Sequence, residues 1–174
     1  EDRKLKGVTA VGCIGEGGPM ISGTAQGALF AFYMPSFDTK GVCVALPKLH
    51  TAAITAIATP WGLGDMKNND TWFMAASSED KSASLVFVSN SVQHFTLPHQ
   101  EPVRGVVHVD SGGEQGITWA TYTESAVFLW SLHGQKLMQL LCLNISSIAV
   151  NNVEGDEALL CVAHSSTLSA YFDA

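Results

Sequence analysis

One short pattern of apolar and small residues recurs four times along the chain: Val8-Thr9-Ala10-Val11-Gly12, Ile54-Thr55-Ala56-Ile57-Ala58, Val103-Arg104-Gly105-Val106-Val107 and Ile145-Ser146-Ser147-Ile148-Ala149. Each copy opens on a β-branched residue and carries an aliphatic residue three places later, mostly with small residues between. The copies lie about 46, 49 and 42 residues apart, an interval typical of a repeated supersecondary unit. A second pattern follows each copy. Ile21-Ser22-Gly23-Thr24-Ala25-Gln26-Gly27 leads into Leu29 to Phe32, Ala75-Ala76-Ser77-Ser78-Glu79-Asp80 into Leu85 to Val88, and Ala120-Thr121-Tyr122-Thr123-Glu124-Ser125 into Val127 to Trp130. The last copy runs from Cys161-Val162-Ala163-His164-Ser165 into Leu168 to Phe172. An apolar strand, a small polar turn and a second strand closing on an aromatic or apolar residue predict a β-hairpin.

Three of the units end in a further apolar stretch, Val42 to Leu46, Val92 to Leu97 and Lys136 to Leu143, which predicts a fourth strand. Helical periodicity is nearly absent. Gln135 to Leu143 is the one ambiguous segment, apolar at Leu137, Met138, Leu140, Leu141 and Leu143, and its place in the repeat makes it an outer strand.

On these segments the chain resembles the WD40-repeat family. His50-Thr51-Ala52-Ala53-Ile54 looks like that family's turn into an innermost strand, and His99 before Pro102-Val103 holds the same place. Ser22-Gly23-Thr24-Ala25-Gln26-Gly27 is similar to its serine–glycine–acidic–glycine stretch, and Trp130 stands where a closing Trp-Asp pair would begin. The residues after the closing position are Tyr33, Val88, Ser131 and Asp173, so that pair is never intact. The resemblance implies an all-β, WD40-type β-propeller of about four antiparallel blades. The units run approximately over 8–53, 54–102, 103–144 and 145–174, in one domain or a portion of one. The family commonly uses seven blades, roughly 300 residues at this period. The expectation is therefore an incomplete or partner-completed ring; the alternative pairs Lys4-Leu5-Lys6-Gly7 with the last unit to close a small four-bladed ring. Small residues in the first strand would then line a crowded central channel.

Composition narrows the function classes. Hydrophobic residues make up 47% of the chain and charged residues 14%, which excludes a disordered chain. The formal net charge is −7 with only 9 Lys and Arg, so neither nucleic acid nor an anionic membrane surface is an expected partner. No apolar run is long enough for a membrane span, and no basic-then-apolar signal pattern follows Glu1. Cys13, Cys43, Cys142 and Cys161 form no C-x-x-C pair; Cys43 and Cys161 read as small buried strand residues, which implies a reducing, intracellular and cytoplasmic setting.

Candidate chemistry is sparse. His50 and His99 fall at unit-entry turns, where a structural role is expected, and His94, His108, His133 and His164 have no carboxylate at ligand spacing. Gly15-Glu16-Gly17-Gly18-Pro19 reads as a hairpin loop rather than a phosphate cradle, and no Gly-x-Ser-x-Gly elbow occurs. No catalytic residue, cofactor or metal is assigned. The irregular stretch from Thr59 to Trp72 lengthens the second unit, and Trp61, Leu63 and Met66 are its candidate partner-binding residues. The expected function is a non-catalytic interaction module presenting loops and a channel rim to a protein or peptide, within a larger complex. The alternatives are a structural subunit whose propeller another chain completes, and a propeller hydrolase or lectin-like domain.

Overall fold

The computed structural model describes residues 7–15, 18–33, 41–60, 72–109, 119–151, 158–165 and 167–172. Its strands fall into four separate antiparallel sheets, each built from consecutive strands. The first sheet holds β1 (Val8–Cys13), β2 (Met20–Thr24), β3 (Leu29–Tyr33) and β4 (Val42–Ala45). The second holds β5 (Ile54–Ala58), β6 (Trp72–Ser78), β7 (Ser82–Val88) and β8 (Val92–Pro98). The third holds β9 (Gly105–His108), β10 (Trp119–Tyr122), β11 (Ala126–Trp130) and β12 (Lys136–Leu141). The fourth holds β13 (Ile145–Asn151), β14 (Leu159–His164) and β15 (Thr167–Phe172). The ambiguous stretch after Gln135 is the strand β12, as its position in the repeat predicts.

The middle strands are apolar on both faces because a sheet covers each side. Ile21, Leu29 and Ala31 of the first sheet pack with Ile54, Met74, Ala76 and Val86 of the second. Ala75, Leu85 and Leu97 of the second meet Val106, Trp119, Phe128 and Trp130 of the third. Ala120, Val127 and Leu129 of the third meet Ile145, Ile148, Leu160 and Val162 of the fourth. Alternation along each strand sends one set of side chains forward and the other back, which produces three apolar interfaces in series.

Polar bonds tie the same interfaces at one point. Thr9 Oγ1 donates to the carbonyl of Ile54 at 2.7 Å, Thr55 Oγ1 to that of Val103 at 2.7 Å, and Arg104 Nη1 to that of Ile145 at 3.3 Å. In each case the second residue of one repeat bonds the first residue of the next. In β1, β5 and β13 the strand pairing slips at this second residue, between Val8 and Ala10, Ile54 and Ala56, and Ile145 and Ser147. Such a bulge takes one residue out of the ladder and re-aims its side chain.

These interfaces overturn the expected WD40-type propeller. Three apolar clusters join four sheets in an open series, and among the described residues no cluster joins the fourth sheet to the first. The tie itself ends there: Ser146, at the position of Thr9 and Thr55, turns its hydroxyl back to Ala163 of its own sheet at 3.1 Å. No closed ring or channel rim results. The loop-and-rim interaction module, the subunit completing a propeller and the propeller hydrolase or lectin fall with it. The small closed ring fares no better, because the Gly7 carbonyl accepts from Ala25 of the first sheet at 2.8 Å, and Lys4 to Lys6 lie outside the described residues. The all-β class stands.

Gly12 in β1 and Gly23 in β2 are small because of the neighbouring sheet. A Cβ on Gly12 would sit 2.7 Å from Cγ2 of Ile57, and one on Gly23 would sit 2.6 Å from Cβ of Ile54. The sheets approach too closely there for any side chain. Gly27 is required by backbone conformation as well, with φ of 77° in the turn before β3 and the His50 carbonyl against it.

The tie and its absent counterpart make a paired prediction. Thr55→Val, nearly isosteric, strands the Val103 carbonyl and should lower unfolding free energy by about 1–3 kcal/mol. Ser146→Ala, which removes an exposed bond within one sheet, should cost less than about 0.5 kcal/mol. Urea denaturation followed by tryptophan fluorescence measures both; equal effects would show that the tie contributes nothing special.

Candidate functional site

Two histidine networks are built at matching places, where the chain enters the second and third sheets. His50 is buried, with Nδ1 3.3 Å from Asp80 and 3.1 Å from Ser82 Oγ, and Nε2 2.9 Å from Ser84 Oγ. The Asp80 carboxylate also accepts from Ser82 Oγ at 2.6 Å and from the Thr51 amide at 2.8 Å. Burial lowers the His50 pKa against the pull of Asp80. Burial pushes the Asp80 carboxyl up, but the bonds from Ser82 and Thr51 and the neighbouring His50 outweigh it and hold it below its usual value.

Ser84, His50 and Asp80 have the composition of a hydrolytic triad. A triad works only if its hydroxyl can reach a substrate carbonyl beside an oxyanion pocket. Ser84 is buried inside β7 with its hydroxyl spent on His50. The arrangement pins the entry to β5 onto the β6–β7 turn.

His99 does the same for the third sheet. Its Nδ1 is 2.9 Å from the Leu97 carbonyl, an acceptor only, so Nδ1 carries the proton. The Thr121 hydroxyl therefore donates to Nε2 at 2.8 Å, while Thr121 Oγ1 accepts from Trp130 Nε1 at 2.8 Å. The ring also meets Phe128 and Trp130 edge-on, with centroids 4.7 and 5.4 Å away. Burial drives the His99 pKa down to about 4; the Leu97 carbonyl opposes this and the charge of Lys136 adds to it. In the fourth sheet His164 Nε2 lies 2.8 Å from Ser169 Oγ.

His99 also forms one wall of a pocket of about 230 Å³, bounded by Glu101, Ser125, Phe128, Lys136 and Gln139. Glu101 Oε1 accepts from Ser125 Oγ at 2.9 Å. The Ser125 and Thr123 hydroxyls hold the Glu101 carboxyl below its usual pKa, and nearby Arg104 contributes. The Lys136 ammonium sits 5.9 Å above the Phe128 ring. Pairing puts Gln139 opposite Phe128 and Leu141 opposite Ala126, so Gln139 and Leu141 share the pocket's face of the third sheet.

Next to this pocket β12 carries a run of exposed apolar side chains. Leu137 is 41% exposed, Met138 49%, Leu141 80% and, just beyond the strand, Leu143 72%. Among the described residues β12 is an edge strand, paired with β11 alone.

The other candidates scatter. His94 lies exposed on β8, His133 is exposed in the β11–β12 turn, and half-buried His108 packs edge-on to Trp119 at 5.0 Å. Among the described residues, no three His, Cys, Asp or Glu side chains come together as a metal site. Trp61, Leu63 and Met66 lie outside the described residues. Cys161 is partly buried, but Cys43, expected inside, is exposed together with Cys13; all four thiols are free. Glu101 belongs to no motif and sequence reasoning passed over it. Arg104 carried a usable signal, since it replaces the hydroxyl residue of the other three repeats. No helix of the described residues is long and apolar enough to cross a membrane. No protein-family model matches the chain, and no curated protein matches its sequence.

The low pKa of His99 sets a pH window. A base whose pKa is depressed on folding takes up a proton more readily when unfolded, so stability falls as pH drops from about 6.5 toward 4. His99 alone should remove roughly 3 kcal/mol across that window. His99→Gln should start less stable at pH 7, yet lose distinctly less on acidification; urea midpoints at pH 7, 5.5 and 4.5 measure this. A variant with the wild-type slope would rule out His99 as the source.

Proposed function

We propose that this chain is a non-catalytic domain that binds a partner protein by accepting an extended segment of it as an added strand on β12. The observation that carries this reading is the apolar run Leu137, Met138, Leu141 and Leu143 on a strand that has one paired neighbour among the described residues. An edge strand offers a row of backbone donors and acceptors, and proteins that keep such edges unoccupied protect them with charge, proline or shortness. β12 has six residues, no proline and a single charge, Lys136. Strand addition uses those backbone groups for affinity and alternate side chains for selection.

A protein partner rather than nucleic acid fits the net charge of −7. The absence of catalysis is part of the proposal, since the triad-like set Ser84, His50 and Asp80 is committed to structure. Four free thiols support a reducing, intracellular compartment, which we place in the cytoplasm, and an exposed apolar edge suits a subunit of a larger complex.

The test is selective loss of binding. A photoreactive group placed at Gln139 should crosslink a discrete set of proteins in cell extract. Leu141→Asp with Leu143→Asp should abolish that set, while Val92→Asp with Phe95→Asp on the edge strand β8 should leave it intact. Equal loss in both variants, or in neither, would reject β12 as the binding edge.

A further inference from the structure

Three positions of the repeat are covered in every sheet but the first. The opening residue is fully buried as Ile54, Val103 and Ile145, yet Val8 is 44% exposed. The aliphatic residue three places later is buried as Val106 and Ile148 and half-buried as Ile57, whereas Val11 is 64% exposed. Strand register gives Met74, Trp119 and Leu160 one common place on the second strand of their sheets. All three are buried, but Met20 in that place is 42% exposed. In the later sheets the cover comes from the preceding sheet, over Ile54 and Met74, over Val106 and Trp119, and over Ile145, Ile148 and Leu160.

The other end of the series carries the kind of surface that supplies this cover. Ala56, Ala58 and Ala75 of the second sheet pack on Val106 and Trp119 of the third. Ser147, Ala149 and Cys161 hold the same three places in the fourth sheet and are similarly small. The tie has loose ends on the same two surfaces. Ser146, in the donor place, is exposed and turns to its own sheet. The Val8 carbonyl, in the acceptor place of Ile54 and Val103, takes no side-chain bond among the described residues.

Charge points to a second copy as the occupant. The chain has a net charge of −7, so copies repel one another. β1 to β4 and β13 to β15 contain no Asp, Glu, Lys or Arg, and two such sheets meet without like charges at the contact.

We propose that the free face of the first sheet is a self-association surface that receives the outer face of the fourth sheet of a second copy. Val8, Val11 and Met20 of one copy pack on Ser147, Ala149 and Cys161 of the other, and the Ser146 hydroxyl swings out to donate to the Val8 carbonyl. The two surfaces differ, so the contact is head-to-tail, and a pair of copies still presents one surface of each kind. The open series of sheets continues from copy to copy, and the β12 edge takes no part.

Sedimentation velocity in reducing buffer, at about 1 to 100 μM where a modest contact becomes populated, tests this. The average mass of the wild type should rise with concentration and pass that of a dimer. Val11→Asp and Ala149→Asp each put a charge on one surface and should hold the chain monomeric. Both residues are exposed, so circular dichroism should show the wild-type fold in either variant. Mixed together, the two variants keep one intact surface each and should form a one-to-one dimer that grows no further. Ser146→Ala should weaken association about fivefold. Leu141→Asp with Leu143→Asp should associate like the wild type. The contact is refuted if the wild type stays monomeric, if Ala149→Asp associates normally, or if the mixture stays monomeric. Association lost in the Leu141 and Leu143 variant refutes it in favour of β12, and an unchanged Ser146→Ala refutes the tie between copies.

Discussion

Thr9, Thr55 and Arg104 hold the same place in three successive repeats, and each donates across a sheet interface to the carbonyl that opens the next repeat. That bond fixes how near two sheets may come, because a hydroxyl reaches only a short way from its own backbone. The nearness then dictates the residues around it. Gly12 and Gly23 face Ile57 and Ile54 with no room for a Cβ, and the bulges in β1 and β5 turn Thr9 and Thr55 out of the ladder to make the bond. Arg104, with a longer reach, makes the corresponding bond at 3.3 Å while also pairing with Glu124 at 2.6 Å. The Arg104–Glu124 ion pair is exposed, so it contributes little beyond orienting the guanidinium.

A second constraint acts at the entry to a sheet. His50 and His99 each tie an incoming segment to a hydroxyl on a central strand, Ser84 in one case and Thr121 in the other. The second sheet adds a carboxylate to the tie and the third an indole, so the same mechanical result comes from different partners. Asp80 counters the cost of burying His50, whereas at His99 the Leu97 carbonyl opposes burial and the charge of Lys136 adds to it, and the pKa falls to about 4. His99 consequently stays neutral at pH 7 and adds no positive charge to the pocket it borders.

Repeat units were legible in the sequence because each strand must satisfy its own alternation and each hairpin its own turn. Trp119 to Trp130 shows both demands within a dozen residues. The way the ends of the series meet was not legible. Closure depends on whether the free face of the first sheet matches that of the last, and no local pattern encodes a match between Val11 and Cys161. Ser146 illustrates the difficulty: its residue type fits the tie, yet its bond turns inward. The pocket was equally hidden. Glu101 lies in a connecting segment, Ser125 in a turn and Gln139 on an outer strand, and only the pairing of β10, β11 and β12 brings them together. Gln135 to Leu143 gave a partial signal, since its apolar residues on both faces were visible but their exposure was not.

Exposure of those residues is what internal packing leaves unexplained. β4 is only four residues long, and β8 carries exposed Gln93, His94 and Thr96 and ends at Pro98, so both edges are blunted in the ways edge strands usually are. β12 is longer than β4 and has no proline, and Lys136 is its one charge. Leu140 turns into the third interface, which accounts for one apolar side chain, but Leu141 and Leu143 contribute nothing to the three clusters. Burying both against a partner would release about 1.5–3 kcal/mol each, before the cost of ordering the partner is subtracted. Selection for stability of this chain alone would favour polar residues there.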